Sequence, residues 1–333
     1  MVSLSCPAII RAMRRAEENP ILTREEIPDL PPRLLDVTSV FNPGALEWKG
    51  GVMLLLRVQA RSRETFLMPA WSPDGVDFEV FSRVVEIRGL ESVGERIYHV
   101  YDPRLTFLEE WVYLVFAADV EGACRLGIAK TRDFEEFELV SFDREGDSRN
   151  GVLFPEKVGG RYLRLERPNR VTLEGGPTSG EEIVLSESED LVTWRPVAQV
   201  MRGNPHFWDE RIGSGPPPVK TREGWLHIYH GIATHFQSAN IYQAGAVLLD
   251  LEDPSRVIGR TRSNILEPRE LYEMVGQVPN VVFPSGMAVR ERDGEGFALP
   301  ESEVLVYYGA ADTCVGLART SVGELVRACL EGS

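Results

Sequence analysis

Short apolar or alternating runs recur along most of the chain, each bounded by Gly, Pro or Asp: "GGVMLLLRVQ", "WVYLVFAAD", "CRLGIAKT", "RYLRLERP", "EEIVLSES", "GWLHIYHGI", "QAGAVLLDL" and "EVLVYYGAAD". Runs of this length, rich in β-branched and aromatic residues, read as strands, and no long helical period interrupts them. The two ends read differently. Residues 7–18 place Ile9, Ile10 and Met13 on one face and basic residues on the other, which predicts an N-terminal helix. Residues 321–330, "SVGELVRACL", open with a Ser cap and repeat apolar residues at helical spacing, which predicts a C-terminal one.

A longer period lies over the strands. "SPDGVDFEV", "TRDFEEFEL" and "SEDLVTWRP" each place an aromatic four residues after an aspartate: Asp74 with Phe78, Asp133 with Phe137, Asp190 with Trp194. The aspartates are spaced 59 and 57 residues apart, and each phrase separates two strands. The phrase predicts an outer hairpin turn with an aromatic packed beneath it. A repeat of that size holds about four short strands, one propeller blade, and roughly 300 residues make about five blades. The predicted fold is therefore all-β: a single domain over 1–333, with a five-bladed propeller over 19–320 and a short helix at either end.

Composition narrows the partners. Lys+Arg of 36 against Asp+Glu of 51 gives a net charge of −15. Such a balance argues against nucleic acid or an anionic membrane as a partner, since both favour a basic surface. No apolar run approaches the roughly 20 residues that span a bilayer, and no leader-like segment opens the chain. Cys6, Cys124, Cys314 and Cys329 are scattered and read as thiols of a reducing cytoplasm. The N-terminal helix could pack on its own propeller or on a second copy, which leaves a homo-oligomer as the one protein partner suggested.

Candidate chemistry gathers at strand ends. Arg57 sits inside a strongly apolar strand, where burial of a guanidinium costs several kcal/mol unless an anion pairs with it. Arg149, Arg167 and Lys220 fall in successive segments at comparable places and predict a local phosphate cradle in an acidic protein. Lys157, Arg61 and Arg63 read as plain surface charge. Asp102 and Asp312 stand outside the repeated turn, each beside small or rigid residues. In "VYDPRLTF", Pro103 is expected to end a strand and thereby aim Asp102. A glycosidase of ordinary type needs two carboxylates. If phosphate is the nucleophile, one general acid and a cationic site suffice. His227 and His230 resemble a metal pair, but three residues apart on a strand they face opposite sides. His230, at its strand end, remains a candidate ligand contact, whereas His99 and His206 read as structural. No metal site is predicted.

Together, "VFNPGA", "LLLRVQ", "YDPRLT", "RNGVLFPEK", "YLRLERP", "GSGPPPVKTREGWLHIYHG", "VPNVVFPSG" and "YYGAADT" resemble glycoside hydrolase family 130, the β-mannoside phosphorylases and related mannosidases. The resemblance runs in order from about residue 19 to 320 and implies a five-bladed propeller. It implies Asp102 as general acid, relaying its proton through the mannose 3-hydroxyl. It places Asn42, Arg57 and Asp312 around the mannosyl ring, where Tyr101 and His230 are read as further substrate contacts, and Arg149, Arg167, Lys220 and Tyr242 around phosphate. The implied reaction is inverting phosphorolysis of a β-1,4- or β-1,2-linked mannoside, releasing α-mannose 1-phosphate, with inorganic phosphate as co-substrate and no cofactor. A water-using β-mannosidase on the same scaffold and a silent glycan- or protein-binding propeller are the alternatives. The loops at 171–180 and 201–210 match the family loosely and are expected to shape the acceptor site.

Overall fold

The computed structural model describes residues 13–170, 179–234 and 240–332. Five sheets, antiparallel except where Ile87–Arg88 pairs parallel with Phe137–Phe142, follow one another along the chain and form the blades of a propeller. Their innermost strands are Val37–Trp48, His99–Leu108, Ser148–Leu153, Arg211–Ser214 and Val282–Val289, in blades 1 to 5.

The apolar runs are explained by burial on both faces. In Gly51–Ala60, the second strand of blade 1, Met53 and Leu55 pack with Leu114 and Phe116 of blade 2, while Leu54 and Leu56 pack with Leu305 and Tyr307 of blade 5. Successive side chains point to opposite faces of a sheet, so a strand sandwiched between two blades must be apolar at every position. Three further clusters join blades 2 and 3, 3 and 4, and 4 and 5, which closes the ring. Arg57 shares its face with Met53 and Leu55 and therefore points toward blade 2.

The repeated aspartate phrase links the third and fourth strands of blades 1, 2 and 3. Asp74 Oδ1 accepts the amides of Val76 and Asp77, Asp133 Oδ1 those of Glu135 and Glu136, and Asp190 Oδ1 those of Val192 and Thr193. Asp250 makes the same turn in blade 4 without an aromatic four residues on. The C-terminal helix spans Val322–Glu331, with a capping box between Ser321 and Glu324.

The N-terminal expectation requires correction. Residues 1–12 lie outside the described residues, and residues 13–18 are not helical. Arg14–Arg15 is instead the outermost strand of blade 5, pairing with Ala318 and Arg319 of the Cys314–Ser321 strand. A fork from Arg15 to buried Glu273 holds it there, Nε to Oε1 at 2.7 Å and Nη2 to Oε2 at 2.8 Å. The start of the chain thus completes the last blade and covers an open sheet edge.

Pro103 does not end its strand either. His99–Leu108 runs through it, with a bulge between Tyr101 and Arg104. Equivalent bulges lie between Phe41 and Gly44 and between Arg149 and Val152. The residue at each is left-handed: Asn42 at φ 46°, Asp102 at 51° and Asn150 at 54°. Asn and Asp tolerate this conformation better than other side-chain-bearing residues. Proline is accepted there because the innermost strand has one unpaired edge. "FNPG", "YDPR" and "RNGV" are therefore one device, which turns a short polar side chain out of the ladder.

Candidate active site

A cavity of about 560 Å3 opens beside the N-terminal halves of the innermost strands, and all three bulge residues line it. Arg57, Tyr101, Arg149, Arg167, Tyr242 and Asp312 line it too.

On the blade 1–2 side, Asp102 Oδ1 accepts two hydrogen bonds, from Asn42 Nδ2 at 3.0 Å and Arg57 Nη1 at 2.8 Å. Among the described residues none is hydrogen-bonded to Oδ2, and the side chain is 11% exposed, so that oxygen is accessible from the cavity. The Arg57 guanidinium lies between the rings of Phe41 and Tyr101, 4.5 and 4.7 Å from their centroids, which fixes the cation that grips Asp102. Asn42 reaches the carboxylate past Gly309, where a Cβ would come within 1.9 Å of Asn42 Oδ1. Burial by itself would raise the Asp102 pKa. The charges of Arg57 and Arg104 and the bonds from Asn42 and Arg57 outweigh it and hold the carboxyl below its usual range. Asp312 sits in the tight turn after Glu303–Ala310 at φ 49°. Burial pushes its carboxyl up to about 6, opposed by Arg57 and aided by the charge of Asp102.

On the blade 3–4 side, cations meet. Arg149 and Arg167 are directly paired across two antiparallel strands, which sets two guanidiniums side by side. Like charges in that position destabilise a sheet unless something anionic joins them. Burial, then the charge of Arg149, depresses the Arg167 pKa. The described partners are few: Asn169 Oδ1 at 3.0 Å for Arg167 and Asp119 Oδ1 at 3.4 Å for Arg149, with the Nε of each buried and unpartnered. Asp119 is also held by the Tyr101 hydroxyl at 2.7 Å. Tyr242 completes the wall and feels the charges of Arg167, Arg149 and Arg211.

Two expected site residues lie elsewhere. Lys220 is on the short strand Val219–Thr221, paired with Glu156 at 2.7 Å. It faces Trp225 across the neighbouring strand, whereas Arg211 faces Ile232, seven residues further on. At about 3.3 Å per residue Lys220 is roughly 23 Å from the cluster, and it lines another cavity near the opposite ends of the innermost strands. His230 is wholly buried, its ring 4.6 Å from that of Phe283, and it does not line the site.

Arg211, although it does not line the cavity, stands beside the wall of cations. Its Nη1 is buried without a partner, and its strand position puts it on the same row as Tyr242, each opposite Ile232. The sequence carried a signal for it: Arg-x-Gly opens the innermost strand both at Arg149–Gly151 and at Arg211–Gly213. Asn150 and His99 also line the cavity, and His99 Nδ1 is buried and unpartnered, unlike the structural role expected of it. Arg63, expected as plain surface charge, stands on the rim.

The site's elements span nearly the whole chain, and so does a family match. Residues 12–331 fit the glycoside hydrolase family 130 model, described as β-1,4-mannooligosaccharide phosphorylase. The chain belongs to glycoside hydrolase family 130. One relative, the β-1,4-mannooligosaccharide phosphorylase of Ruminococcus albus, is 32% identical over 321 residues, covering 94% of this chain and 89% of the relative. A 1,2-β-oligomannan phosphorylase of Thermoanaerobacter is 33% identical over 260 residues, covering 75% and 76%. The solved structure of the Listeria innocua β-1,2-mannobiose phosphorylase, in complex with β-1,2-mannobiose, superposes with a TM-score of 0.79 at 26% identity, covering 95% of this chain and 99% of that one. Its fold agrees with the five blades expected from the 60-residue repeat.

Proposed function

We propose that this family 130 protein is an inverting β-mannoside phosphorylase with Asp102 as its general acid. The observation that carries the reading is the adjacent guanidiniums of Arg149 and Arg167, each with its Nε buried and unpartnered, in the same cavity as a gripped carboxylate with one accessible oxygen. A hydrolase needs a second carboxylate to activate water. The wall facing Asp102 offers two adjacent arginines, with its carboxylate Asp119 engaged by Arg149 and Tyr101, and such a wall suits an anion that is already a nucleophile.

Phosphate is held by Arg149, Arg167, Arg211 and Tyr242, whose donors offset its repulsion from Asp102 and orient one oxygen at the anomeric carbon. The mannosyl ring lies among Asn42, Arg57, Tyr101 and Asp312. That phosphate oxygen bonds to the anomeric carbon as the glycosidic carbon–oxygen bond breaks. The leaving oxygen takes a proton supplied from Asp102 Oδ2, and α-mannose 1-phosphate and a shortened saccharide result. Electrostatics give an order. In the empty cavity Arg57 and Arg104 keep Asp102 ionised, and the negative charge of an arriving phosphate raises its pKa toward that of a working acid. Phosphate binding thus loads the acid.

The test is the phosphate dependence of turnover. With β-1,4- and β-1,2-mannobiose, the initial rate should rise from near zero and saturate with phosphate. A rate independent of phosphate would establish the mannosidase alternative, and absence of turnover on every β-mannoside would favour a binding module.

A further inference from the structure

Arg104 closes the bulge that presents Asp102, yet it does not line the cavity. Its side chain is wholly buried, with the guanidinium 5.5 Å from the centroid of Phe283, a ring of the cavity wall. A guanidinium taken out of water normally has a carboxylate against it, since burial of an unpaired charge is costly. Arg104 has none: among the described residues it bonds backbone carbonyls alone. Its Nε donates to the Gly215 carbonyl at 2.7 Å, and its Nη1 to those of Asp102 and Pro103, each at 3.2 Å. Nη2 is buried without a partner.

Gly215 directly follows Arg211–Ser214, the innermost strand of blade 4. One side chain therefore fastens the bulge of blade 2 to a blade that is not its neighbour. The Pro103 carbonyl is confined from blade 1 as well, where a Cβ on Gly44 would come within 2.8 Å of it. Asp102 is left-handed at φ 51°, a conformation that persists only where the surroundings over-determine it. Lysine would supply the charge without the fork, because only arginine's planar donors reach carbonyls on two strands at once. Burial lowers the Arg104 pKa to about 10, opposed by the charge of Asp102 and aided by Arg57, so the side chain stays cationic at neutral pH. Asp102 is thus surrounded by Asn42 and Arg57 of blade 1, Arg104 of its own strand and Asp312 of blade 5. His227 and His230 of blade 4 feel the Arg104 charge, and burial keeps both imidazoles neutral.

We propose that Arg104 is a positioning residue for the general acid: it fastens the bulge that points Asp102 into the cavity and sets a fixed cation behind that carboxylate. The inference rests on the reading of Asp102 as the acid. Two variants separate the fork from the charge, since Arg104→Lys keeps the cation alone and Arg104→Met keeps neither. With β-mannobiose, Arg104→Lys should lose about ten- to a hundredfold in kcat while the phosphate KM stays within about threefold of wild type. Arg104→Met should lose at least as much kcat. In phosphate-free buffer, 13C NMR of protein labelled at the aspartate carboxyl carbon follows Asp102 directly, its signal identified by its absence from Asp102→Asn. That carboxyl should titrate as in wild type in Arg104→Lys and at higher pH in Arg104→Met. A merely structural arginine would lower the melting temperature without moving the titration or splitting kcat from KM. Wild-type kcat in Arg104→Lys, or an unmoved titration in Arg104→Met, would overturn the proposal. The titration reads the hold on Asp102 whether phosphate or water is the nucleophile, and kcat of Asp102→Asn reports separately on the acid itself.

Discussion

Asp102 sits where strain, charge and access coincide, and replacing single atoms there has distinct consequences. Asp102→Asn preserves an acceptor for Asn42 and Arg57 but removes the acid. It should keep the wild-type circular dichroism spectrum and lose about a thousandfold in kcat; an active variant would place the acid elsewhere. Arg167→Ala and Arg211→Ala should each raise the phosphate KM about ten- to a hundredfold, the worth of a charge-assisted bond. Lys220→Ala should leave it within about twofold. An equal loss at Lys220 would contradict the placement of the cluster. Asp312 tests the electrostatics through stability. Its folded pKa of about 6 exceeds the ordinary 3.8, so the folded state favours its proton. This contribution is full below about pH 4, is lost as pH rises toward 6, and leaves above it a cost on the order of 3 kcal/mol. Melting temperatures should therefore show Asp312→Asn gaining on wild type from pH 4 to pH 7; a constant gap would contradict the shift. Arg57 was legible in the sequence because an arginine amid apolar strand residues demands a partner, and Arg149 and Arg167 because they recur at comparable places in successive segments. Lys220 misled because a strand's two ends look alike in sequence, although only one faces the site.

At the scale of elements, the left-handed bulge links sequence to chemistry. An aspartate before proline ordinarily signals a turn, and that expectation stopped the strand at Pro103. The innermost strand of a blade has an unpaired edge, so proline interrupts nothing and the bulge redirects Asp102 without ending the strand. The Arg14–Arg15 strand was not legible: two residues carry no period, and their pairing depends on a partner some 300 residues away. Its hold on the ring is testable. Arg15→Ala leaves Glu273 fully buried, with the Tyr308 hydroxyl and the amides of Arg269 and Glu270 as its remaining donors. The expected loss is about 3 kcal/mol, read as a lower urea midpoint. An unchanged midpoint would mean that the strap adds nothing to closure.

Across the whole molecule, the repeat was readable because each outer turn reuses one local device, an aspartate capping two amides. Blade 4 escaped the pattern because Asp250 keeps the turn but not the aromatic. The site itself could not be assembled from spacing alone, since its residues come from all five blades and meet only when the ring closes. Its charge is arranged against the protein's own field: a net −15 chain gathers Arg57, Arg63, Arg149 and Arg167 around one cavity. That cluster makes a direct demand on the reaction. Following β-mannobiose by 31P NMR in phosphate buffer should show an α-configured mannose 1-phosphate signal growing at the rate at which disaccharide disappears, with one inorganic phosphate lost per bond broken. Free mannose in place of that signal, with inorganic phosphate unchanged, would contradict phosphorolysis.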